Sequence, residues 1–507
     1  MSTRKVKSLS WILIGFLGGI LVSLGISAAA QRGEPLPLKS LQQFANVFGA
    51  IKSSYVEPVS DQQLIDDAIR GLFADLDPHS AYLDEDAYKQ MQDITRGGFG
   101  GLGIEIGAED GMPKVIAPIE DTPAARAGIL TGDLITRIDD EPTKGMSLND
   151  AVKKMRGEPG TPIELTIERA GSPKPLKFHI VREMIKTRSV RGKMLPGDIA
   201  YVRISQFQDR TTGDLVRMLD SLSSGRAPKG MILDLRNNPG GLLDGAIGVS
   251  SVFLDPGSLV VSTKGRIQSS NEEFYARHLT SKHGFVLEDN AGQPPAWART
   301  VPLVVLVNVG SASASEIVAG ALQDHKRARI LGNRTFGKGS VQSVLQLSED
   351  TGIKLTTARY YTPSGRSIQL TGVVPDYPVD DSAAGNLFQL QREVDLQHHL
   401  ENQADARQGD EPAEDDFVQG EIKMFEFGGK DDWQLSQAIN ALQGRPILKS
   451  DPVLVREAKA QAAVQAAVQA EPANDAVAQP AEKKTLNDSD GNVERYRVTP
   501  QGLIRVQ

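Results

Sequence analysis

The first apolar segment of the chain is an uncharged run from Trp11 to Ala30, and three basic residues, Arg4, Lys5 and Lys7, precede it. A basic start, an apolar stretch and an end rich in small residues are typical of an export signal. The run is also almost long enough to remain as one membrane-spanning helix. We therefore expect residues 1–30 to be a signal peptide or a membrane anchor, with cleavage left open.

Helical periodicity follows between residues 36 and 96. Apolar side chains recur at intervals of three and four, first at Leu41, Phe44, Val47, Phe48 and Ile51, and then at Leu64, Ile65, Ile69, Leu72 and Phe73. This spacing predicts an N-terminal helical region over residues 36–96, which is a candidate for dimerisation. Asp77-Pro78-His79-Ser80 interrupts the pattern with turn-forming residues. We interpret His79 as a structural turn residue and assign it no chemistry.

Glycines then cluster just ahead of a strand-like alternation from Leu102 to Ile106; they are Gly97, Gly98, Gly100, Gly101 and Gly103. A second block of small and apolar residues runs from Ala127 to Ile138. Several glycines before a short apolar strand allow main-chain N–H groups to converge on an anion without interference from Cβ atoms. An ordinary hairpin turn is the alternative. We expect a small domain over residues 97–183.

Strand and helix patterns alternate in the next segment. We expect a strand at Ile199–Ile204, a helix at Thr211–Leu222 and a buried strand at Gly230–Leu235. The loop Asn237-Asn238-Pro239-Gly240-Gly241 follows, ahead of an apolar helix at Leu242–Val252. Such a turn leaves main-chain N–H groups free to face a substrate, although turns of this composition are also common structural devices.

A serine stands at a predicted strand-to-helix corner. The apolar run Leu303–Val309 leads into Gly310-Ser311-Ala312-Ser313-Ala314-Ser315-Glu316, which begins a helix reaching about Gln323. A serine in this place is held outward, and the helix N-terminus adds positive potential where an oxyanion would form. Ser313 is therefore a candidate nucleophile. The spacing from Ser313 to Glu316 also fits a helix-capping box, which requires no chemistry.

A lysine between two glycines lies 25 residues after Ser313, in the segment Phe336–Gln342. If this amine is buried, the pKa of Lys338 falls, and the amine can accept a proton from a serine near neutral pH. Gln342, four positions on, is expected to share the strand face of Lys338 and to orient the amine or the hydroxyl. The two segments together predict a Ser-Lys pair.

Composition narrows the chemistry further. The 507 residues contain no cysteine, which excludes disulfides, zinc–thiolate sites, iron–sulfur clusters and thiol nucleophiles. The seven histidines are scattered, and the adjacent His398 and His399 cannot share one helical face. We therefore expect no metal and no cofactor, and hydrolysis by hydroxyl, amine or carboxylate groups. A formal charge of −8 argues against a nucleic-acid partner.

His325 invites a Ser-His interpretation, which we reject. Ser313 and His325 lie on one predicted helix, twelve positions and about 18 Å of rise apart, beyond hydrogen-bond reach. Asp324, eleven residues after Ser313, has a surface charge at the helix C-terminus as its simplest interpretation.

The blocks around Ser313 and Lys338, with the glycine cluster and the Pro-Gly-Gly turn, resemble the C-terminal processing peptidases, the S41 tail-specific serine proteases. The resemblance covers about residues 36–378. It implies that Ser313 is the nucleophile, Lys338 the general base and Gln342 its positioning partner. Asp324 matches a family position of supporting role. The oxyanion hole would be formed by the N–H of Ala314 and one from Gly240 or Gly241.

The same resemblance implies an α+β fold, with a crotonase-like αβ protease core, an inserted PDZ domain and the N-terminal helical region. The core is expected over residues 184–380, with strands at Gly352–Tyr361 and Ser367–Val374. A C-terminal helical region over 381–455, with one docking helix at Trp433–Leu442, and a partly disordered Ala/Gln-rich tail over 456–507 follow.

The glycine cluster is similar to the carboxylate-binding loop of PDZ domains. On that likeness Gly100, Gly101, Leu102 and Gly103 bind the terminal carboxylate of a peptide that pairs along the sheet edge. A helix carrying Leu148, Val152 and Met155 would form the other wall of the groove. Arg156 matches a position linked to gating of the active site, although an Arg before a Gly is more often a solvated charge.

The resemblance therefore predicts an exported serine endopeptidase that captures protein C-terminal tails and cleaves by acylation and deacylation. It further suggests a periplasmic location, with anchorage to the inner membrane if the signal is not removed, a homo-oligomer and an activating adaptor as a partner. One alternative is a catalytically inert PDZ adaptor that binds envelope proteins. Another is an esterase or amidase with the same dyad.

Overall fold

The computed structural model describes most of the chain beyond the predicted export segment. The described ranges are 37–277, 293–387, 391–402, 425–458 and 460, without the single positions 110, 120, 170, 173, 187 and 224, and the strands 495–499 and 502–506. Residues 1–30 and most of the predicted tail 456–507 therefore lie outside the described residues. Within those ranges, no helix combines the length and apolarity needed to cross a membrane.

Two compact units divide the chain. The first consists of Met1–Asp376 with Leu390–Gly409, and the second of Tyr377–Gln389 with Asp410–Gln507. All the predicted site residues belong to the first unit.

The first unit begins with α1 (Leu38–Ser54), α2 (Asp61–Gly71), β1 (Ala81–Leu83) and α3 (Glu85–Arg96). The N-terminus of α2 is capped by the Ser60 side chain, which accepts the N–H of Gln63, and that of α3 by the Asp84 side chain. Gly97, with a φ of +73°, ends α3 in the left-handed conformation that favours glycine. The turn at residues 77–80 therefore lies between α2 and β1.

The next elements are β2 (Gly98–Gly101), β3 (Ile104–Glu109), β4 (Met112–Pro118), α4 (Pro123–Ala127), β5 (Leu134–Ile138), β6 (Glu141–Pro142), α5 (Leu148–Met155), β7 (Pro162–Glu168), β8 (Leu176–Val181) and β9 (Glu183–Lys186). They form an antiparallel sheet of order β3-β4-β5-β7-β8, with β6 on β5. Ile135, Leu165 and Ile167 are fully buried in its core. β2 pairs with β9, so the first and last strands of this segment lie side by side.

The core contains β10 (Val190–Leu195), β11 (Ile199–Ile204), α6 (Thr211–Ser223), β12 (Gly230–Asp234), α7 (Leu243–Phe253), β13 (Leu259–Gly265), β14 (Glu272–Tyr275), β15 (Leu303–Val307), α8 (Ala314–Asp324), β16 (Arg329–Gly332), β17 (Ser340–Gln346) and β18 (Gly352–Tyr361). Its main sheet has the order β10-β11-β12-β15-β16. β10 is antiparallel, and the remaining pairs are parallel. Every residue of β12 and β15 is buried, as expected for parallel strands covered on both faces.

The parallel pairing of β12 and β15 brings the two loops with candidate catalytic residues to the same edge of the sheet. Asp234 at the end of β12 is in register with Leu306 near the end of β15. The loops that follow these two strands therefore start from the same edge of the sheet, which places the Pro-Gly-Gly turn beside the Ser313 corner.

A second sheet of the core has the order β1-β18-β13-β14, and β17 also pairs with β18. Ala81, Tyr82 and Leu83 of β1 lie in register with Lys354, Ile353 and Gly352 of β18. This pairing brings the turn at residues 77–80 close to the strands that follow the lysine loop, which we define as residues 336–339.

The predicted strand at Ser367–Val374 is wrong. Only Ser367 forms a β-bridge there, and the rest of the segment is turn and irregular backbone. Leu370 has a φ of +64°, which a strand does not allow, and its N–H donates to the carbonyl of Gly337 at 2.8 Å. The apolar residues Ile368 and Val373 are buried in the hydrophobic core, and the main chain of Leu370 contacts the lysine loop instead of pairing as a strand.

The second unit contains β19 (Tyr377–Pro378), α9 (Trp433–Leu442) and the hairpin of β20 (Arg495–Thr499) and β21 (Gly502–Val506). α9 has the predicted bounds. Its N-terminus is capped by the Asp432 side chain, and Gln434 donates from its buried side chain to the carbonyl of Val379 at 2.9 Å. Residues 452–458 are also helical.

Candidate active site

The Ser313 corner has a constrained backbone. Ser313 has φ +53° and ψ −113°, a conformation that side-chain-bearing residues rarely adopt. Its neighbours fix it: the Ala312 N–H donates to the carbonyl of Asn238 at 3.0 Å, and the Ser315 hydroxyl donates to the same carbonyl at 2.9 Å. Strained backbone held by surrounding contacts is frequent at catalytic residues.

Ser313 and Glu316 have the capping-box arrangement, in which the hydrogen bond to the Glu316 carboxylate is formed. The Glu316 carboxylate accepts the N–H of Ser313 at 2.7 Å, but the Ser313 hydroxyl makes no capping bond to the helix. Among the described residues, the hydroxyl has no hydrogen-bond partner, and the side chain is partly exposed at the corner. The hydroxyl is therefore available for chemistry, and the structural interpretation of this serine does not account for it.

Glu316 links the two predicted catalytic segments. Its side chain is fully buried and accepts the Thr335 hydroxyl at 2.5 Å, the Gly337 N–H at 2.7 Å and the Lys338 N–H at 3.0 Å, in addition to Ser313. Burial raises the pKa of Glu316 to about 7, while these hydrogen bonds act in the opposite direction. Sequence reasoning assigned Glu316 to capping alone and missed its contacts with the lysine loop.

Lys338 lies in an irregular loop ahead of β17. Burial, followed by repulsion from Lys354, lowers the pKa of Lys338 to about 8, and the carboxylates of Glu393, Glu316 and Asp77 partly oppose this shift. A substantial fraction of the amine is therefore neutral at mildly alkaline pH. No hydrogen bond joins the Lys338 amine to the Ser313 hydroxyl among the described contacts; the two segments are linked through the Glu316 carboxylate.

The glycines beside Lys338 have a packing function. A Cβ atom at Gly339 would lie 2.2 Å from the main-chain nitrogen of Gln369, and one at Gly337, where φ is +95°, would lie 2.9 Å from the carbonyl oxygen of Leu370. Side chains do not fit in either place. The glycines thus allow residues 369 and 370 to approach the lysine loop closely.

Gln342 lies on the strand that follows the lysine loop. Its amide nitrogen donates to the Ser340 hydroxyl at 2.9 Å and to the Thr356 hydroxyl at 3.2 Å. Lys338 precedes β17, and a register shift separates Val341 from Gln342, so simple alternation along one strand does not relate the two side chains. The role of Gln342 as a partner of Lys338 stays a prediction.

The Pro-Gly-Gly turn packs directly on the Ser313 corner. A Cβ at Gly240, where φ is +100°, would lie 2.8 Å from the Ala312 carbonyl oxygen and 2.9 Å from the Ala314 nitrogen. The Gly240 N–H donates to the Asn238 side chain at 2.9 Å, whereas the Gly241 N–H has no acceptor among the described residues. Ala314 is the first helical residue, so its N–H lacks an intrahelical acceptor. Of the two glycines, Gly241 is thus the one with a free donor.

A buried ion pair lies at the start of this turn. Arg236 and Asp234 are both fully buried, and the guanidinium donates to the carboxylate at 3.0 and 2.6 Å. Tyr201 adds its hydroxyl at 2.7 Å, and the pKa of Asp234 is lowered chiefly through Arg236 against the opposing effect of burial. This cluster fixes the residues that lead into the Pro-Gly-Gly turn.

The Gly-rich segment lies beside an open sheet edge. β3 stands at the end of the sheet order, and Leu102, just before it, is buried. Gly103 has a φ of +77°, and its carbonyl accepts the Ile119 N–H at 2.9 Å. α5 packs its Ala151 and Met155 into the same core. Of the predicted peptide-binding residues, Gly100 and Gly101 belong to β2 and pair with β9, whereas Leu102 and Gly103 lead directly into the edge strand.

Arg156 directly follows α5 and contacts the same segment. Its guanidinium lies 4.4 Å from the centroid of the Phe99 ring. Burial raises the pKa of the Asp93 carboxyl, and the positive charge of Arg156 opposes that shift. Arg156 is therefore not an isolated surface charge, and its gating role stays a prediction.

Two remaining candidates have structural contacts. His325 Nε2 lies 2.7 Å from the Leu259 carbonyl oxygen. Asp324 is ion-paired with Arg366 and accepts the Ser364 N–H at 2.9 Å, so it holds the turn after β18. In the described part of the chain, no group of acidic or histidine side chains has the arrangement of a metal site.

Three family models match the chain. Residues 198–379 match peptidase family S41, residues 114–169 match a PDZ domain, and residues 24–87 match the N-terminal domain of the activating protease CtpB.

Curated relatives span most of the chain. A carboxy-terminal-processing protease from Bartonella bacilliformis is 43% identical over 444 residues, which cover 85% of this chain and 96% of that protein. The carboxy-terminal processing protease CtpA of Bacillus subtilis is 34% identical over 377 residues, covering 73% and 77%. Among solved structures, a photosystem II D1 C-terminal processing protease is 30% identical with a TM-score of 0.38, covering 67% of this chain and 93% of that one.

The family models and the curated relatives confirm the resemblance and the PDZ domain, and the observed helices and sheets agree with the predicted α+β fold class. The chain belongs to the carboxy-terminal-processing serine proteases of peptidase family S41.

Proposed function

We propose that this protease binds the C-terminal tails of exported proteins in its PDZ groove and cleaves peptide bonds with a Ser313–Lys338 dyad. The observation that carries the proposal is the shared Glu316 carboxylate, which holds the main-chain nitrogens of Ser313 at 2.7 Å and Lys338 at 3.0 Å. A free hydroxyl at a constrained corner and a half-buried lysine with a lowered pKa are thus kept in adjoining segments.

Acylation begins when the Ser313 oxygen attacks the carbonyl carbon of the scissile bond and its proton passes to the neutral Lys338 amine. The oxyanion is stabilised by the N–H groups of Ala314 and Gly241. The tetrahedral intermediate then collapses, the C–N bond breaks, and the Lys338 ammonium gives its proton to the leaving amine. Water hydrolyses the acyl-enzyme with Lys338 again as the base, which regenerates the Ser313 hydroxyl.

The amine and the hydroxyl are not hydrogen-bonded here, so the productive state requires a shift of the Lys338 side chain or its loop. We propose that binding of a tail beside β3 promotes this shift, with Arg156 as the gating residue and Gln342 as the positioning partner. The contact of Arg156 with Phe99, close to the carboxylate-binding loop, supports this link.

Tail recognition rests on the edge strand β3 and on residues 100–103, which are the end of β2 and the connection to β3. A peptide that adds to this edge gains main-chain hydrogen bonds, and its terminal carboxylate meets the N–H groups of these residues. This function is tested with two peptides of one sequence, one with a free C-terminus and one amidated. We expect the free acid to bind and be cleaved, and amidation to weaken both; equal cleavage would favour the esterase or amidase alternative.

Cleavage of a tail-bearing unfolded protein by the wild type, Ser313→Ala and Lys338→Ala variants tests the dyad. We expect both variants to bind the tail and to release no product. Product release by Ser313→Ala at the wild-type rate would contradict the dyad, and binding without cleavage by the wild type would favour the inert adaptor.

Location and assembly are further parts of the proposal. The basic and apolar N-terminal segment supports export to the periplasm, with the segment as an anchor in the inner membrane if it is retained. N-terminal sequencing of the mature protein tests this.

α1 exposes an apolar row, at Leu41, Phe44, Val47 and Ile51, which supports a homo-oligomer through this helix. Sedimentation of wild type and Phe44→Glu, with an expected loss of the oligomer, tests the assembly. An activating adaptor would be detected as a partner that raises kcat.

A further inference from the structure

The turn that the sequence analysis assigned to structure alone contacts a carboxylate far along the chain. His79 Nε2 lies 2.7 Å from Glu393 Oε2. The Glu393 side chain is 1% exposed and that of His79 is 15% exposed. A buried carboxylate without hydrogen bonds destabilises the folded protein. The Glu393 carboxylate therefore requires partners at this position, and His79 is one of them.

Glu393 continues from this pair to the lysine loop. Its second oxygen accepts the Gln369 side-chain N–H at 3.0 Å, and the Gln369 oxygen accepts the N–H of Gly339 at 3.0 Å. The main-chain N–H of Glu393 donates to the carbonyl of Phe336, also at 3.0 Å. The His79–Glu393 pair therefore holds the lysine loop on both sides of Lys338.

The same turn also reaches the predicted partner of the lysine. Asp77 accepts the N–H groups of His79 and Ser80 at 2.9 Å each, and the Thr356 hydroxyl at 3.0 Å. Thr356 in turn accepts the side-chain N–H of Gln342 at 3.2 Å. One short turn from the N-terminal region thus fixes two separate parts of the lysine environment.

Charged groups from four elements act on the Lys338 amine. Glu316 comes from α8, Lys354 from β18, Asp77 from the N-terminal turn and Glu393 from the segment after the core. The three carboxylates raise the pKa of Lys338, and Glu393 has the largest effect among them. Burial and Lys354 lower the pKa.

We propose that His79 and Glu393 are positioning residues for the reaction: through Gln369 they fix the loop that presents Lys338, and the Glu393 carboxylate places a negative charge near its amine. This inference rests on the proposed role of Lys338 as the base. The turn is consequently part of the catalytic apparatus, although neither residue is assigned contact with the reacting atoms.

The test is the pH profile of Ser313 acylation by a small fluorophosphonate, which needs no bound tail. Glu393→Gln removes the charge and keeps the side-chain shape. Because that charge raises the pKa of Lys338, its loss lowers the pKa, and we expect the acid limb to move to lower pH by about half a unit or more. Glu349→Gln, an exposed carboxylate in the turn between β17 and β18, is the matched control and should leave the limb in place.

His79→Phe provides a second measurement if Glu393→Gln does not fold. We expect kcat for a tail substrate to fall by about tenfold with KM unchanged, since the loop is misplaced while the PDZ groove is intact. A folded Glu393→Gln protein with the wild-type acid limb, or an unchanged kcat in His79→Phe, would overturn the inference. Wild-type acylation by Lys338→Ala would instead overturn the dyad, so the two failures are distinguishable.

Discussion

The main-chain nitrogen of Ser313 lies 2.7 Å from the carboxylate of Glu316, and that carboxylate also accepts the N–H groups of Gly337 and Lys338 in the lysine loop. A single buried side chain therefore sets the relative position of the proposed nucleophile and base. We expect Glu316→Gln to lower kcat at least about tenfold, because an amide cannot accept all four donors and presents an N–H to some of them.

The measurement for Glu316→Gln is kcat together with tail-peptide affinity and the melting temperature. Affinity should be unchanged because the PDZ groove is separate from this carboxylate. Unaltered kcat in a folded Glu316→Gln protein would show that the carboxylate does not position the dyad.

We predict that acylation requires glycine at position 240, because a side chain does not fit there. A Cβ there would lie 2.9 Å from both the Ser313 Cβ and the Ala314 nitrogen, so Gly240→Ala must displace the corner or the oxyanion donor. We expect almost complete loss of acylation. Gly257→Ala is the matched control: it has a similar positive φ, +86°, and open space around it. The control should lose only about 1–2 kcal/mol of stability and retain activity, whereas equal activity in both variants would contradict the account.

Burial, and after it repulsion from Lys354, lowers the pKa of Lys338 to about 8. The proposed base acts when Lys338 is deprotonated, so acylation should rise with pH up to about 8 and then level off. Lys354→Gln removes the repulsion, raises the pKa of Lys338 and should move the acid limb to higher pH. Acylation rates between pH 6 and about 10 measure this shift of the acid limb. An acid limb that moves to lower pH in Lys354→Gln would show that Lys354 does not lower the pKa of Lys338.

Arg156 is predicted to couple tail binding to acylation. Arg156→Ala removes a contact with Phe99 worth about 0.5–1 kcal/mol. We expect the tail peptide to bind with similar affinity and to lose its ability to accelerate fluorophosphonate acylation of Ser313. Acceleration equal to the wild type in Arg156→Ala would exclude the gating role.

Local patterns predicted the elements that carry the chemistry. The strand-to-helix corner at Ser313 was recognisable because an apolar run ends in small residues and a helix start. Lys338 stood out because glycines flank it on both sides in an apolar segment, although the structure shows that these glycines serve the close approach of residues 369 and 370. Both features depend on residues within a few positions of one another.

Contacts between distant segments were not predictable in this way. Glu393 and His79 meet although 314 residues separate them, and neither lies in a periodic pattern. Ser367–Val374 looked like a strand because its apolar residues Ile368 and Val373 are buried in the core from an irregular backbone. Glu316 was assigned to capping because one of its four bonds is indeed a cap.

The most direct test of the account is the rate of Ser313 acylation by a fluorophosphonate in wild type and Lys338→Ala across pH, with methylamine added as a substitute base. We predict that Lys338→Ala acylates at least about a hundredfold more slowly, loses the rise toward pH 8 and is partly rescued by methylamine. Acylation of Lys338→Ala at the wild-type rate and with the wild-type pH profile would contradict a neutral lysine as the base.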